Sequence, residues 1–376
     1  MLEGPLWIWL TGLAVLLHVG LWGVLLSNLV YLWARSAPSV GTSPAVSICI
    51  PARNEAENLR RLLPSLLDQN YPDLEIIVWD DGSEDETWEV LQSFDAPSLT
   101  VAQGDGPPEG WIGKVHALYQ CTRRASGDRY LFLDADTALT RSDALRRLVE
   151  QHEAAESCVS TGLPRLRGGA QLLVSLVPYA LLTGLPWPLV PRTSLPGLSA
   201  LNGQCWCVDA SLYHTYEPHA TLKNAVLEDV GIGRYLKAQG HPPVLLAITD
   251  LVSVHMYEDL RDAWQGFRKN AYLLLGGAPL PFLVTYGYFL LTWLVAPLLS
   301  LWLLASLYGL KALTDRVNGI PAAVALFAPL SFALGLILQF DSAVHHWTDR
   351  VTWKGRPVPS SQHASPPSVD ASTEQA

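Results

Sequence analysis

Charged side chains are scarce in this sequence. Asp, Glu, Lys and Arg make up 16% of it against 49% hydrophobic residues, and residues 4–34, 270–310 and 317–340 contain none of the four. So apolar a chain is not a disordered one. The basic residues are the scarcer: 25 Lys and Arg against 35 Asp and Glu give a net charge of −10, so no nucleic-acid footprint is present and no nucleic acid is expected as a partner. Cysteine is sparse and unpatterned. The five cysteines lack zinc-finger spacing, and Cys205-Trp206-Cys207 is CxC rather than CxxC; reduced, mostly buried thiols in a cytoplasmic domain are expected. The mean hydropathy of +0.19 and the uneven spread of charge point to a soluble-type domain held between membrane segments.

The first charge-free run, 6–33, has the length of a bilayer-crossing helix, with Trp7, Trp9, Tyr31 and Trp33 near its ends and His18 and Asn28 as polar blemishes. A cleaved signal peptide needs a basic start and a shorter apolar core, so an uncleaved anchor over 1–35 is expected. Residues 281–310 and 320–339 are two further candidates within a helical region 271–340, with Lys311 and Arg316 in the connection. A break near Gly276-Gly277-Ala278-Pro279 is expected to set off an interfacial piece. Three spans place the middle domain in the cytoplasm, in keeping with Arg35, Arg350, Lys354 and Arg356. Residues 168–191 are also uncharged but hold Pro178, Pro186, Pro188 and Pro191. They read as a membrane-surface segment (168–200), or else as a buried apolar helix of the soluble core. The tail, 341–376, rich in Ser, Pro, Gln and Ala beyond 357, is expected to be disordered.

Between the apolar ends, 44–270 alternates strands and helices. Ala45-Val-Ser-Ile-Cys-Ile50 reads as a buried strand. Leu59, Leu62, Leu63, Leu66 and Leu67 then mark one helical face, and Leu74–Trp79 and Tyr130–Leu133 are further strands. This pattern predicts an α/β domain with a mostly parallel sheet and helices on both faces, binding its ligand beyond the carboxyl ends of the strands. Asn54/Glu55, Asp80/Asp81 and Asp134/Asp136 stand at those ends. Asp134-x-Asp136 offers hard oxygen ligands for Mg2+ or Mn2+ shared with phosphate, or is a plain surface turn. Asp80-Asp81-Gly82-Ser83 offers a carboxylate to a base or ribose hydroxyl, or caps a helix. Lys114, in the loop Gly110-Trp-Ile-Gly113-Lys114, meets a phosphate or stays solvated. Asp229 of Glu228-Asp229 is a candidate general base, or a partner of a helix dipole. Arg268 and Lys269, after Gln265, bind diphosphate or anchor the chain at a membrane; His255 completes a metal or phosphate site or is a surface histidine.

Taken together these residues resemble glycosyltransferase family 2, with its GT-A nucleotide-diphospho-sugar fold. The family order of strand–PxxNE, strand–DDGS, GK loop, strand–DxD and ED pair appears as Pro51-Ala-Arg-Asn54-Glu55, Asp80-Asp81-Gly-Ser83, Gly113-Lys114, Asp134-Ala-Asp136 and Glu228-Asp229. The segments 110–118, Asn202-Gly203-Gln204 and 256–270 are similar to those of membrane-bound transferases acting on carotenoid and related isoprenoid lipids. The resemblance implies a nucleotide-sugar donor, here a UDP-sugar, and a lipid acceptor at the bilayer. It places Glu55 and Asp81 on the nucleotide and Lys114 near the diphosphate. Pro51, Asn54, Asp134, Gly203, Gln204, Glu228, Gln265 and Arg268 complete the donor site. Asp136 becomes the metal ligand, with His255 as its candidate partner, and Asp229 the base of an inverting displacement. Polymerising relatives carry QxxRW; here Gln265-Gly-Phe-Arg268-Lys269 has lysine for tryptophan, which argues against polymer synthesis. The alternatives are a polyprenyl-phosphate sugar synthase and a non-catalytic lipid-binding scaffold.

Overall fold

The computed structural model describes residues 5–35, 43–353 and 356–357. Lys354 and the expected disorder beyond 357 lie outside the described residues. Helix α1 (Pro5–Ala34) leads to β1 (Val46–Ala52), α2 (Ala56–Leu67), β2 (Leu74–Asp80), α3 (Thr87–Gln92), β3 (Leu99–Gln103), α4 (Gly113–Thr122), β4 (Arg129–Leu133), β5 (Thr137–Leu139) and α5 (Ala144–Ala154). There follow β6 (Val159–Gly162), β7 (Arg165–Gly168), α6 (Gln171–Val174), α7 (Leu176–Gly184), β8 (Cys205–Asp209), α8 (Ala210–Tyr216), α9 (Pro218–Thr221), α10 (Glu228–Ala238), β9 (Val244–Leu246), β10 (Val252–Tyr257) and α11 (Leu260–Leu274). The chain continues as α12 (Pro279–Phe289), α13 (Ala296–Leu299), α14 (Leu301–Val317), α15 (Ala322–Leu326) and α16 (Ala328–Trp347).

The main sheet has the order β3-β2-β1-β4-β8-β6-β9. Its first four strands are parallel, β8 runs antiparallel to both neighbours, and β9 is parallel to β6. The β-branched run of β1 suits a strand covered on both faces. Ile48 and Ile50 pack with Leu59, Leu62, Leu63 and Leu66 of α2, while Cys49 points to the opposite face with Ala117 and Leu118 of α4. A second sheet, β5-β10-β7, crosses beside the ends of β4 and β6. In it Val254 pairs with Thr137 antiparallel, and Ser253 with Arg165 parallel.

The apolar helices pack onto the domain and onto each other. Leu21 and Leu25 of α1 share a core with Tyr179, Leu182, Trp187, Trp293, Leu307 and Phe332. Two helical stretches, Leu6–Ala34 and Pro279–Leu299, are long and apolar enough to cross a membrane. The polar blemishes of α1 are bonded: His18 to Ser306 Oγ and Thr292 O, and Asn28 to Leu182 O, Leu185 O and Trp187 N–H.

Several expectations for this region need correction. The candidate 281–310 is not one helix, because Ser300 turns extended and caps α14 by accepting from Trp302 N–H. The candidate 320–339 breaks at Phe327, just ahead of Pro329, between α15 and α16. Residues 341–347 belong to α16 rather than to a tail. Lys311 lies inside α14, buried and paired with Asp315 at 2.6 Å, not in an exposed connection. The charge-free segment 168–191 packs against the apolar helices α1, α14 and α16, with Tyr179, Leu182, Trp187 and Val190 buried among them, which is compatible with either reading of it. The break at Gly276-Gly277 falls where expected, between α11 and α12.

Candidate active site

Because β2, β1 and β4 are parallel neighbours, their carboxyl ends open on one side and bring the acidic motifs together there. The β1 and β2 loops clamp each other. Asn54 sits at a positive φ of 52°, its N–H donates to Ser83 Oγ at 2.9 Å, and its Oδ1 accepts from Glu84 N–H at 2.8 Å. Asparagine tolerates that left-handed backbone. Asp80 is fully buried and accepts from Ser83 N–H and Gln103 Nε2, so it braces the turn. Asp81, also buried, lies 4.0 Å from the Arg53 guanidinium. Burial pushes its carboxyl up to about 6, against the pull of Arg53.

Lys114, at the start of α4, is the hub. Its Nζ is 2.7 Å from Asp134 Oδ1 and 3.0 Å from Glu228 Oε1. Burial opposes its charge, but Asp134, Glu228 and Asp229 hold its proton on. Burial likewise works against the Glu228 carboxylate, yet Lys114 keeps that acid below its ordinary range, with a smaller contribution from Lys269. Asp229 opens α10. Its Oδ2 accepts from Gly203 N–H and its Oδ1 from Val230 N–H, each at 2.8 Å. Burial and the neighbouring Glu228 raise its pKa to about 6. Gly203 packs tightly here: a Cβ on it would stand 3.0 Å from Asp229 Oδ2 and 3.3 Å from Lys114 Nζ. Gln204 lies in the same turn, its carbonyl accepting from Asp134 N–H at 3.4 Å. Glu55, at the end of β1, acts electrostatically on Asp134.

Asp136 is joined to β10, since its carbonyl accepts from His255 N–H at 2.9 Å. The His255 imidazole contacts Glu258 at 3.0 Å. Among the described residues no cluster of three His, Cys, Asp or Glu side chains is arranged to hold a metal. The donor set still suits Mg2+ or Mn2+, which commonly take one or two carboxylates and fill the remaining positions from phosphate and water. Asp134, Glu228 and Asp229 surround one ammonium, leaving a local excess of negative charge that an anionic diphosphate meets only with a cation. Two expected donor residues lie on α11. Arg268 pairs with Asp341 of α16 at 3.8 Å, and Gln265 is on the exposed side of α11.

The sequence reading missed His219 and Tyr257. His219 is wholly buried between Phe132 and Trp206, and its Nδ1 meets Tyr213 OH at 2.8 Å. Burial drives its pKa down to about 3, within reach of the charges of Glu228 and Lys114. Tyr257 ends β10 facing the two acids of the DxD turn; burial, then Asp136 and Asp134, raise its phenol pKa. No spacing signal marks either residue, because each reaches the site through a strand or helix distant in sequence.

This arrangement defines a nucleotide-diphospho-sugar-type GT-A domain, the catalytic fold of glycosyltransferases. Residues 47–174 match the Glycosyl transferase family 2 profile. The chain is 26% identical over 258 residues to a 4,4'-diaponeurosporenoate glycosyltransferase of Staphylococcus aureus strain USA300, covering 62% of this chain and 62% of that protein. It is 39% identical over 109 residues to the protein of the same name from strain bovine RF122, covering 29% and 28%. The match thus spans about 62% of the length of the first of these relatives. Among solved structures, the mannosyltransferase PcManGT from Pyrobaculum calidifontis, in complex with GDP-Man and Mn2+, shares the fold with a TM-score of 0.54 at 19% identity, covering 91% of this chain and 99% of that one.

Proposed function

We propose that this protein transfers one sugar, glucose from UDP-glucose, to a hydroxyl or carboxyl of a membrane lipid of the carotenoid or related isoprenoid class. The observation that carries this reading is the convergence of Asp134, Glu228 and Asp229 on Lys114 at the carboxyl ends of the parallel strands. The lipid class is supported by the names of the S. aureus relatives, and by the two helices long and apolar enough to cross a membrane beside the domain. In this reading the chain is a multi-pass membrane protein with its domain in the cytoplasm.

Each residue has a stated task. Asp81 and Glu55 hold the nucleoside, with Pro51 and Asn54 shaping the loop that receives it. Lys114 exchanges its carboxylate partners for diphosphate oxygens. Asp136, with His255, would hold the divalent cation, which would supply neutralisation of the leaving diphosphate. Asp229, fixed by two backbone N–H groups, takes the proton from the acceptor hydroxyl as that oxygen attacks the anomeric carbon from the face opposite the diphosphate, inverting its configuration. Gly203 and Gln204 shape the floor beside Asp229. Gln265 and Arg268 act from α11, Arg268 through its anchorage to α16.

The test uses the purified full chain in detergent, with UDP-glucose, Mn2+ and an isoprenoid acceptor. Glucosylated lipid is the expected product. Asp136→Asn and Asp229→Asn are each expected to lose it while remaining folded. Full activity in Asp136→Asn overturns the assignment, and full activity in Asp229→Asn overturns a hydroxyl acceptor. Loss in Asp136→Asn alone, with Asp229 dispensable, points instead to an acceptor that is already an anion, a carboxylate or a phosphate, which needs no base.

A further inference from the structure

The ladder between β10 and β7 slips between His255 and Tyr257, where Tyr257 pairs with Gly168. Such a bulge re-aims a side chain. Its backbone fits only because the partner strand ends in two glycines. Gly168 has a φ of +117°, and a Cβ on it would overlap Tyr257 O; a Cβ on Gly169 would overlap Glu258 O. Gly169 N–H donates to Tyr257 O at 3.0 Å, fixing the bulge.

The re-aimed ring lies edge-on to Phe267, with centroids 5.3 Å apart. Its tip enters a notch in α11: a Cβ at Gly266 would overlap the phenol oxygen. The hydroxyl makes no hydrogen bond to any described residue, although its neighbours include the acids of the DxD turn. A half-buried tyrosine ordinarily finds a partner for its O–H. Here the protein supplies none, while four separate features (a bulge, two glycines of β7 and its turn, and a glycine in α11) hold the ring in place.

We propose that the Tyr257 hydroxyl is a donor-substrate contact, giving its hydrogen bond to an oxygen of the β-phosphate, the sugar-bearing phosphate of the nucleotide sugar, from a position set by the Gly266 notch. This rests on the transferase reading above and adds to it a residue outside the acidic motifs. It also gives α11 a direct link to the donor: the helix whose Trp264 and Arg268 hold Asp341 of α16 seats the phenol that touches the diphosphate.

The test is calorimetry on the full chain in detergent with Mn2+, comparing UDP and GDP with UMP and GMP, for wild type, Tyr257→Phe and Gly266→Ala. A hydrogen bond to a charged oxygen is worth about 10- to 100-fold in binding. Tyr257→Phe is expected to weaken the diphosphate by that factor and leave the monophosphate unchanged, with an unaltered melting temperature. Gly266→Ala, which displaces the ring, is expected to follow it; should that variant fail to fold, Tyr257→Phe decides alone. Diphosphate affinity equal to wild type in Tyr257→Phe overturns the inference and leaves the transferase reading standing. An equal loss for both nucleotide classes makes the residue structural and also overturns it. Wild type binding none of the four nucleotides overturns the transferase reading and this inference with it.

Discussion

Asp229 serves the proposed chemistry only as a carboxylate. Burial and Glu228 place its pKa at about 6, so the proton is held below that pH and released above it. With Asp229 as the base, kcat/KM is expected to fall about tenfold per pH unit below 6 and to level off above 7, since this ratio reports groups of the free enzyme. A profile flat between pH 5 and 8 would rule the base role out. Asp229→Asn is expected to lower kcat about 10²- to 10⁴-fold. Lys114 acts through charge. Lys114→Met removes the cation that bridges Asp134 and Glu228, raising the folded-state pKa of both acids. Stability present while they are protonated is then lost as the pH rises through those raised values. The cost at pH 8 is expected to be about 1–3 kcal/mol, kept modest by the partial exposure of the lysine, and smaller at pH 5; thermal melts at the two pH values check it.

At the scale of elements, short polar staples join helices that are otherwise apolar. Asn28 is fully buried on α1 and spends both ends of its amide on the segment 182–187, giving two N–H bonds to Leu182 and Leu185 carbonyls and accepting one from Trp187 N–H. Asn28→Ala leaves those backbone groups without a partner away from water, an expected loss of about 2–4 kcal/mol, read as a lower unfolding temperature in detergent. Helix α10 is tied in a comparable way. Ser199 Oγ donates to Gly233 O at 2.8 Å, Lys237 Nζ donates to Leu198 O at 2.8 Å, and a Cβ at Gly233 would stand 2.9 Å from the Ala200 carbonyl carbon. The loop leading to Gly203 is thereby locked to the helix whose first turn carries Asp229. Gly233→Ala is expected to reduce activity at least tenfold by shifting that loop and the Gly203 N–H that holds Asp229. Rate measurements on the folded variant check it.

At the scale of the molecule, the proposed orientation has its own consequence. Glu84 is 80% exposed on the loop after β2. A Glu84→Cys variant is expected to escape a membrane-impermeant maleimide in intact cells and to react after permeabilisation; labelling of intact cells would place the domain outside. Cys49, Cys121, Cys205 and Cys207 are buried, and the partly exposed Cys158 is replaced by serine in the test background. The association of the helices with the domain is tight enough for one core to run from Leu25 of α1 through Trp187 to Phe332 of α16.

Local order was legible. The runs at β1, β2 and β4 carry their β-branched and aromatic residues without interruption, and the leucines of α2 repeat at one helical face, because side chains a few residues apart determine those elements. The acids at the strand ends were legible for the same reason, as was the apolar length of α1. What lay beyond the sequence were contacts closed over long distances: the antiparallel insertion of β8 next to β4, the bulge that turns Tyr257, the burial of His219, and the pairing of Arg268 with Asp341 across the α11–α16 packing. The cut at Ser300 and the burial of Lys311 escaped a hydropathy reading, which counts apolar side chains but not which neighbour covers them. Sequence alone thus determined the elements and their chemical types, since both are set by neighbouring residues. Tertiary structure decided which acids share one lysine and which acid of α16 pairs with Arg268, since charge energies depend on distance and burial in space, and the chain reports neither.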